Sequence, residues 1–187
     1  DIPMKKDFDV EVTGLGMNVS GYPGAFTSTV ETIIKKHISS PCVHLFSGIS
    51  KIGDVRIDLA RPEATKNENV LDFVRTDQRK WKWCLLDPPY LLADYGRKFK
   101  SGSLEEKYAS VKSMSSDVEL RKALQIWFQD HVENIIWLDY CAPLPLGFRR
   151  QKLWFLLPGG YHTIRVLSLL TRKNENLINS SPDSGTG

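Results

Sequence analysis

Asp87 closes an apolar run and is followed at once by two prolines and an aromatic, in the stretch "LLDPPY" from Leu85 to Tyr90. A carboxylate at the end of a buried strand can accept hydrogen bonds from an N–H group, and a proline with fixed φ holds the chain beside it still. The same residue types also make a rigid turn with a capping aspartate. Two other apolar runs end in residues of related use. "VHLFSG" stops on Gly48, where a glycine allows a tight turn and a close approach of backbone to a ligand. "VRID" stops on the acid Asp58. Asp54 and Asp72 are further acids nearby, and turn positions explain them as well.

These strand ends need a scaffold that brings them together. Residues 1–20 alternate and read as an extended lead-in or edge strand; "GYPGAF" at 21–26 is a turn by its Gly and Pro content. Ser28 and Glu31 have capping-box spacing, and Val30, Ile33, Ile34, His37 and Ile38 recur at helical spacing. Strands are predicted over Cys42 to Gly48, 54–60, 68–74, 80–87 and 134–145. Two helices are predicted between the last two, opening at Ser103/Glu106 and Ser116/Glu119. The second carries an apolar stripe of Val118, Leu120, Ala123, Leu124, Trp127 and Phe128. Residues 152–173 read as two strands around a Pro-Gly-Gly turn, and the polar tail at 174–187 reads as disordered. The pattern predicts one α/β domain over 1–173: a doubly wound, Rossmann-like mixed sheet with a C-terminal antiparallel hairpin. In such a sheet, ligands bind beyond the carboxyl ends of the strands, where the strand order reverses.

Composition narrows the class. The chain has 187 residues, 41% of them hydrophobic, enough for one domain with a proper core. No apolar run is long enough to span a bilayer, and "DIPMKKDFDVEV" lacks a signal-peptide core, so a cytoplasmic protein without membrane partners is expected. Cys42, Cys84 and Cys141 show neither CxxC nor Cys/His ligand spacing, so buried reduced thiols are expected, with no disulfide and no metal. His37 and His131 are placed to end helices, where a cation favours the helix dipole. Net charge is only +3, which does not by itself demand a polyanion. Its distribution is more pointed: Arg79, Lys80 and Lys82 precede DPPY, Arg97, Lys98 and Lys100 follow it, and Arg149, Arg150 and Lys152 form a second cluster.

The order "GYPGAF", "VHLFSG", "VRIDL", "LLDPPY" resembles the class I S-adenosylmethionine-dependent methyltransferases. More narrowly it resembles the amino-group methyltransferases of DNA, which carry (Asp/Asn/Ser)-Pro-Pro-(Tyr/Phe/Trp). The likeness runs from about 21 to 96, and "YHTIRVLSLLTRK" resembles that fold's terminal hairpin. It implies methyl transfer to the exocyclic amino group of a base, adenine N6 in DNA first, with S-adenosylmethionine as cofactor. An RNA base is the alternative acceptor, and a non-catalytic nucleic-acid or partner-binding protein on the same fold is the alternative to an enzyme. Asp87 and the Pro88 carbonyl would accept the two N–H bonds of the amine, with Pro89 stiffening the turn and Tyr90 stacking on the base. A base inside a duplex would be flipped out to reach them. The likeness implies that Phe26, His44, Leu45, Phe46, Ser47 and Gly48 surround the methionine end of the cofactor. It gives Asp58 the ribose hydroxyls, Asp72 the adenine amino group and Phe73 the adenine ring. The six cations that flank DPPY would hold phosphates. Two positions depart from the family pattern: Ser50 replaces a second glycine, and His44 stands where an acid is often found, so that a hydrogen-bonded core histidine is the alternative reading of His44 and the favoured one. Little sequence is spare for target recognition, which leaves a homodimer or an accessory partner open.

Overall fold

The structure is a computed structural model, and it describes residues 7–15, 26–89, 112–159 and 163–173. Eight strands form one sheet: β1 (Asp9–Gly14), β2 (Cys42–Leu45), β3 (Val55–Asp58), β4 (Lys66–Asn67), β5 (Trp81–Leu86), β6 (Val132–Asp139), β7 (Phe148–Leu157) and β8 (Arg165–Arg172). Three helices accompany them among the described residues: α1 (Ser28–His37), α2 (Val70–Thr76) and α3 (Val118–His131). The spatial order is β1-β7-β8-β6-β5-β2-β3-β4. Only β8 runs against the others, antiparallel to both β6 and β7. The architecture is therefore mixed α/β and compatible with a Rossmann-like sheet, with an antiparallel terminal hairpin.

Adjacent residues on one strand serve opposite faces, which is why the strands read as continuous apolar runs rather than alternating ones. Leu86 and Ile135 join Phe73, Leu124, Trp127 and Phe128 in the core under α2 and α3. Leu85 and Ile136 join Val30, Ile34, Trp154 and Leu156 in the core under α1. From β2 the chain builds outward to β3 and β4 on one side and to β5 and β6 on the other. The order thus reverses between β2 and β5, and the carboxyl ends of those two strands are where such a sheet offers a crevice.

Several expectations are corrected. Residues 68–74 form not a strand but the start of α2: the Asn69 side chain caps it by accepting the Leu71 N–H at 2.9 Å, and Val70, Phe73 and Val74 have helical spacing against the core. Thr27, not Ser28, caps α1, with its hydroxyl accepting the Val30 N–H at 3.4 Å. Asp117, not Ser116, caps α3, accepting the Leu120 N–H at 3.0 Å. Cys42 and Cys84 are buried, but Cys141 is exposed because β6 ends two residues before it. His37 and His131 do end their helices. The edge strand predicted within 1–20 is β1. The helix expected from Ser103/Glu106 and the tail at 174–187 lie outside the described residues. Among the described residues, no helix is long and apolar enough to cross a membrane.

Candidate active site

The carboxyl ends of β3, β2 and β5 lie side by side, and the backbone ties them together. Beyond β2 the chain takes a left-handed turn, with φ of 59° at Phe46 and 53° at Gly48. Phe46 is a non-glycine residue in that region and carries the strain of it. The Ser47 N–H donates to the Ile57 carbonyl at 2.9 Å, and the Gly48 N–H donates to Asp58 Oδ2 at 3.0 Å. On the other side, the Asp87 N–H reaches the Leu45 carbonyl at 3.5 Å. The turn 46–48 is thus held between two strand-terminal acids.

Asp58 is buried, and its other oxygen accepts the Ala60 and Arg61 N–H groups at 3.1 and 3.0 Å. The carboxylate thereby joins the turn after β2 to the turn after β3. Asp54 lies at the opposite edge and is a structural group: it accepts from the Ser40 hydroxyl at 2.7 Å and the Cys42 N–H at 2.8 Å, which hold its carboxyl below the usual range.

His44 on β2 is fully buried, its ring stacked on Phe26 with centroids 5.7 Å apart and planes within 7°. Its Nδ1 lies 3.1 Å from the Ile52 carbonyl. A carbonyl only accepts, so Nδ1 carries the hydrogen and Nε2 keeps a lone pair. Burial holds the imidazole neutral, with a pKa of about 4. Nε2 and the buried Ser47 hydroxyl both lack a hydrogen-bond partner among the described residues. Orphaned polar atoms are costly in a closed core, and a polar ligand beside this turn is one way to satisfy both. The residue types present therefore fit a cofactor with an amino acid end and a ribose.

Beyond Asp87, Pro88 is buried and the Pro89 carbonyl accepts the Met114 N–H at 2.8 Å, which anchors the turn leading into α3 against the DPP segment. Tyr90, Arg97, Lys98 and Lys100 lie outside the described residues.

Other assigned residues stand elsewhere. Phe73 is 1% exposed and packs edge-on against Trp127 with centroids 6.1 Å apart, so it is a core residue under α3 rather than a wall of the crevice. Asp72 is exposed in the first turn of α2. Arg79, Lys80 and Lys82 precede or begin β5, so they sit at the amino edge of the sheet. Lys80 is seven residues before Asp87, about 23 Å along an extended strand. They precede the motif in sequence but do not flank it in space. Arg79 pairs with Asp77 at 2.5 Å and lies 4.7 Å over the Trp81 ring, and the Lys80 ammonium donates to the Asp130 carbonyl. The second basic cluster lies along the first half of β7, from Arg149 near the amino edge to Lys152 at mid-sheet; Lys152 pairs with Glu11 at 2.7 Å and Arg150 donates to the Ala142 carbonyl.

Sequence reasoning passed over Asp139. It is buried and ends β6, the strand next to β5. Its signal was the one that marked Asp58 and Asp87, an apolar run closed by an acid: "NIIWLD".

Compared with known proteins, the chain matches no family model and no curated protein.

Proposed function

We propose that this protein methylates the exocyclic amino group of a nucleic-acid base, adenine N6 in DNA first, with S-adenosylmethionine as donor. The observation that carries the reading is the junction at the reversal of strand order, where the glycine turn 46–48 stands between Asp58 on β3 and Asp87 of DPPY on β5. A mixed sheet closed by an antiparallel hairpin is also what the resemblance to class I methyltransferases implies.

When bound, S-adenosylmethionine supplies a methyl group already activated on a sulfonium, so no metal is called for. The residues that would hold it are His44, Ser47 and Asp58, with Phe26 behind His44. The lone pair of His44 Nε2 suits an ammonium donor, and the Ser47 hydroxyl can give or take a hydrogen bond.

An aromatic amine is a poor nucleophile because its lone pair is delocalised into the ring. Asp87 accepting one N–H and the Pro88 carbonyl accepting the other draw the nitrogen toward a tetrahedral shape and localise that pair. Pro88 and Pro89 have fixed φ, and the Met114 N–H on the Pro89 carbonyl restrains the segment further, so the acceptors need little reorganisation during the reaction. Their contribution is orientation and electrostatic complementarity.

The test is methyl transfer from labelled S-adenosylmethionine to double-stranded DNA, single-stranded DNA or RNA, with nucleoside analysis and an Asp87→Ala control. A methylated adenine that disappears in the control supports the reading and names the polymer. Binding of the cofactor with no label in any polymer points to another acceptor, and failure to bind the cofactor overturns the reading.

A further inference from the structure

β1 ends the sheet, and its free side has a definite pattern. It pairs with β7 in parallel register, Val10 with Leu153, Val12 with Phe155 and Gly14 with Leu157. The Leu15 N–H donates to the Leu157 carbonyl at 2.9 Å, so Leu15 turns its backbone groups toward β7. Successive residues of a strand alternate in this, so Thr13, Glu11 and Asp9 do the same, while the N–H and C=O groups of Val10, Val12 and Gly14 point away from the sheet. Among the described residues nothing pairs with them. A row of free backbone groups is a template for another strand.

The two faces of β1 differ. Glu11 shares the face of Trp154, under α1, where it takes the Lys152 ammonium at 2.7 Å and the Thr13 hydroxyl at 3.2 Å. On the opposite face Val12 is 63% exposed, beside Phe155 at 36%. A Cβ built on Gly14 would meet nothing within 4 Å, so the space over that residue is open. Edge strands are commonly guarded by a proline or a bare charge; β1 has no proline, and the charge at its centre is already paired.

We propose that β1 pairs with β1 of a second copy, antiparallel and centred on Val12, so that two sheets join edge to edge. The strand's own residues select the register. Centring on Val10 sets Asp9 against Glu11, and centring on Glu11 sets that acid against itself; like charges directly opposite are destabilising. Centring on Val12 sets Glu11 opposite Thr13 and pairs Val10 with Gly14, so every outward backbone group of β1 meets another of β1. The Val10 side chain then enters the open space at Gly14, and Val12 and Phe155 of both copies form one apolar row. β1 thus complements itself in charge and in side-chain size, which favours a second copy over an unrelated strand. The contact is isologous and closes at two copies. Because the paired strands run in opposite directions, the carboxyl edges of the two copies face opposite ways and both candidate sites stay open.

Sedimentation velocity on the full chain, over a range of concentrations, tests this. Wild type is expected at the mass of two chains. Val12→Lys brings two ammonium groups together at the two-fold axis and Val12→Glu two carboxylates, so each variant alone is expected as a monomer. An equal mixture of the two is expected to dimerise again, because opposite charges then meet. Val12→Pro removes an N–H that β7 does not use, so circular dichroism should show the fold retained while the dimer is lost. A monomeric wild type, a dimer that survives Val12→Pro, or charge variants that stay monomeric when mixed would each overturn the proposal. None of these readings involves methyl transfer, so the function proposed above stands or falls separately.

Discussion

The Gly48 N–H and the Asp58 carboxylate meet at 3.0 Å, and this bond fastens the turn after β2 to the end of β3. Because the other Asp58 oxygen takes two more backbone N–H groups, one buried side chain joins the turn after β2 to the turn after β3. Gly48 can serve because its left-handed φ of 53° costs a glycine little.

Replacing Asp58 with Asn keeps the shape but turns one oxygen into a donor, which must then face a backbone N–H. The variant is expected to lose about 2 kcal/mol of stability and to bind S-adenosylmethionine more weakly. Urea denaturation reads the first effect and equilibrium dialysis the second. A midpoint equal to that of wild type would show that the three hydrogen bonds do not hold the crevice together.

The strand ends at the proposed site were legible in the sequence because a buried parallel strand that stops at a turn leaves a local mark, an apolar run closed by Gly or Asp. That mark gave Gly48, Asp58 and Asp87, and it was present at Asp139 as well. What the sequence hid was distance across the sheet. Arg79 and Lys80 are close to Asp87 in chain order, but an extended strand separates residues by about 3.3 Å each, so proximity in sequence means opposite edges here. Phe73 was misplaced for a related reason. "ENVLDFV" suits a strand by composition, and only its 3–4 spacing after Asn69 marks it as a short helix whose phenyl ring faces Trp127.

The amino-edge cations provide a direct test of that geometry. Lys80→Glu with Lys82→Glu is expected to leave kcat/KM for methyl transfer on a short oligonucleotide within about twofold of wild type, since the two residues stand about 17 and 23 Å from Asp87 along the strand. Steady-state kinetics at low salt is the suitable measurement. A drop of tenfold or more would mean that the acceptor approaches from the amino edge.

Asp77 separates stability from activity. It is buried, and it accepts the Trp81 indole N–H at 2.7 Å and the Arg79 guanidinium at 2.5 Å. Asp77→Ala leaves the indole N–H without its acceptor at the edge away from the site, so a loss of about 2 kcal/mol in stability is expected. Methyl transfer per folded molecule should be unchanged. A variant with normal stability, or one folded but inactive, would contradict this division of labour.

His44 supplies the pH dependence. Its imidazole titrates near 6.5 in an unfolded chain and near 4 in the fold, because burial opposes its charge. The depressed folded value means that the unfolded chain binds the proton more readily. Stability is therefore full above about pH 6.5 and falls as the pH drops toward 4. The shift of roughly 2.5 units corresponds to about 3 kcal/mol across that window. Asp139 works in the opposite sense, since a carboxyl whose proton affinity is raised by the fold favours the folded state at low pH and loses that contribution as pH rises. The two can be separated with His44→Asn, whose amide can still donate to the Ile52 carbonyl but does not titrate. Denaturation midpoints at pH 7 and pH 5 should differ clearly in wild type, and much less in His44→Asn. If both proteins lose the same stability on acidification, His44 is not held neutral by its surroundings, and the lone pair assigned to Nε2 goes with it.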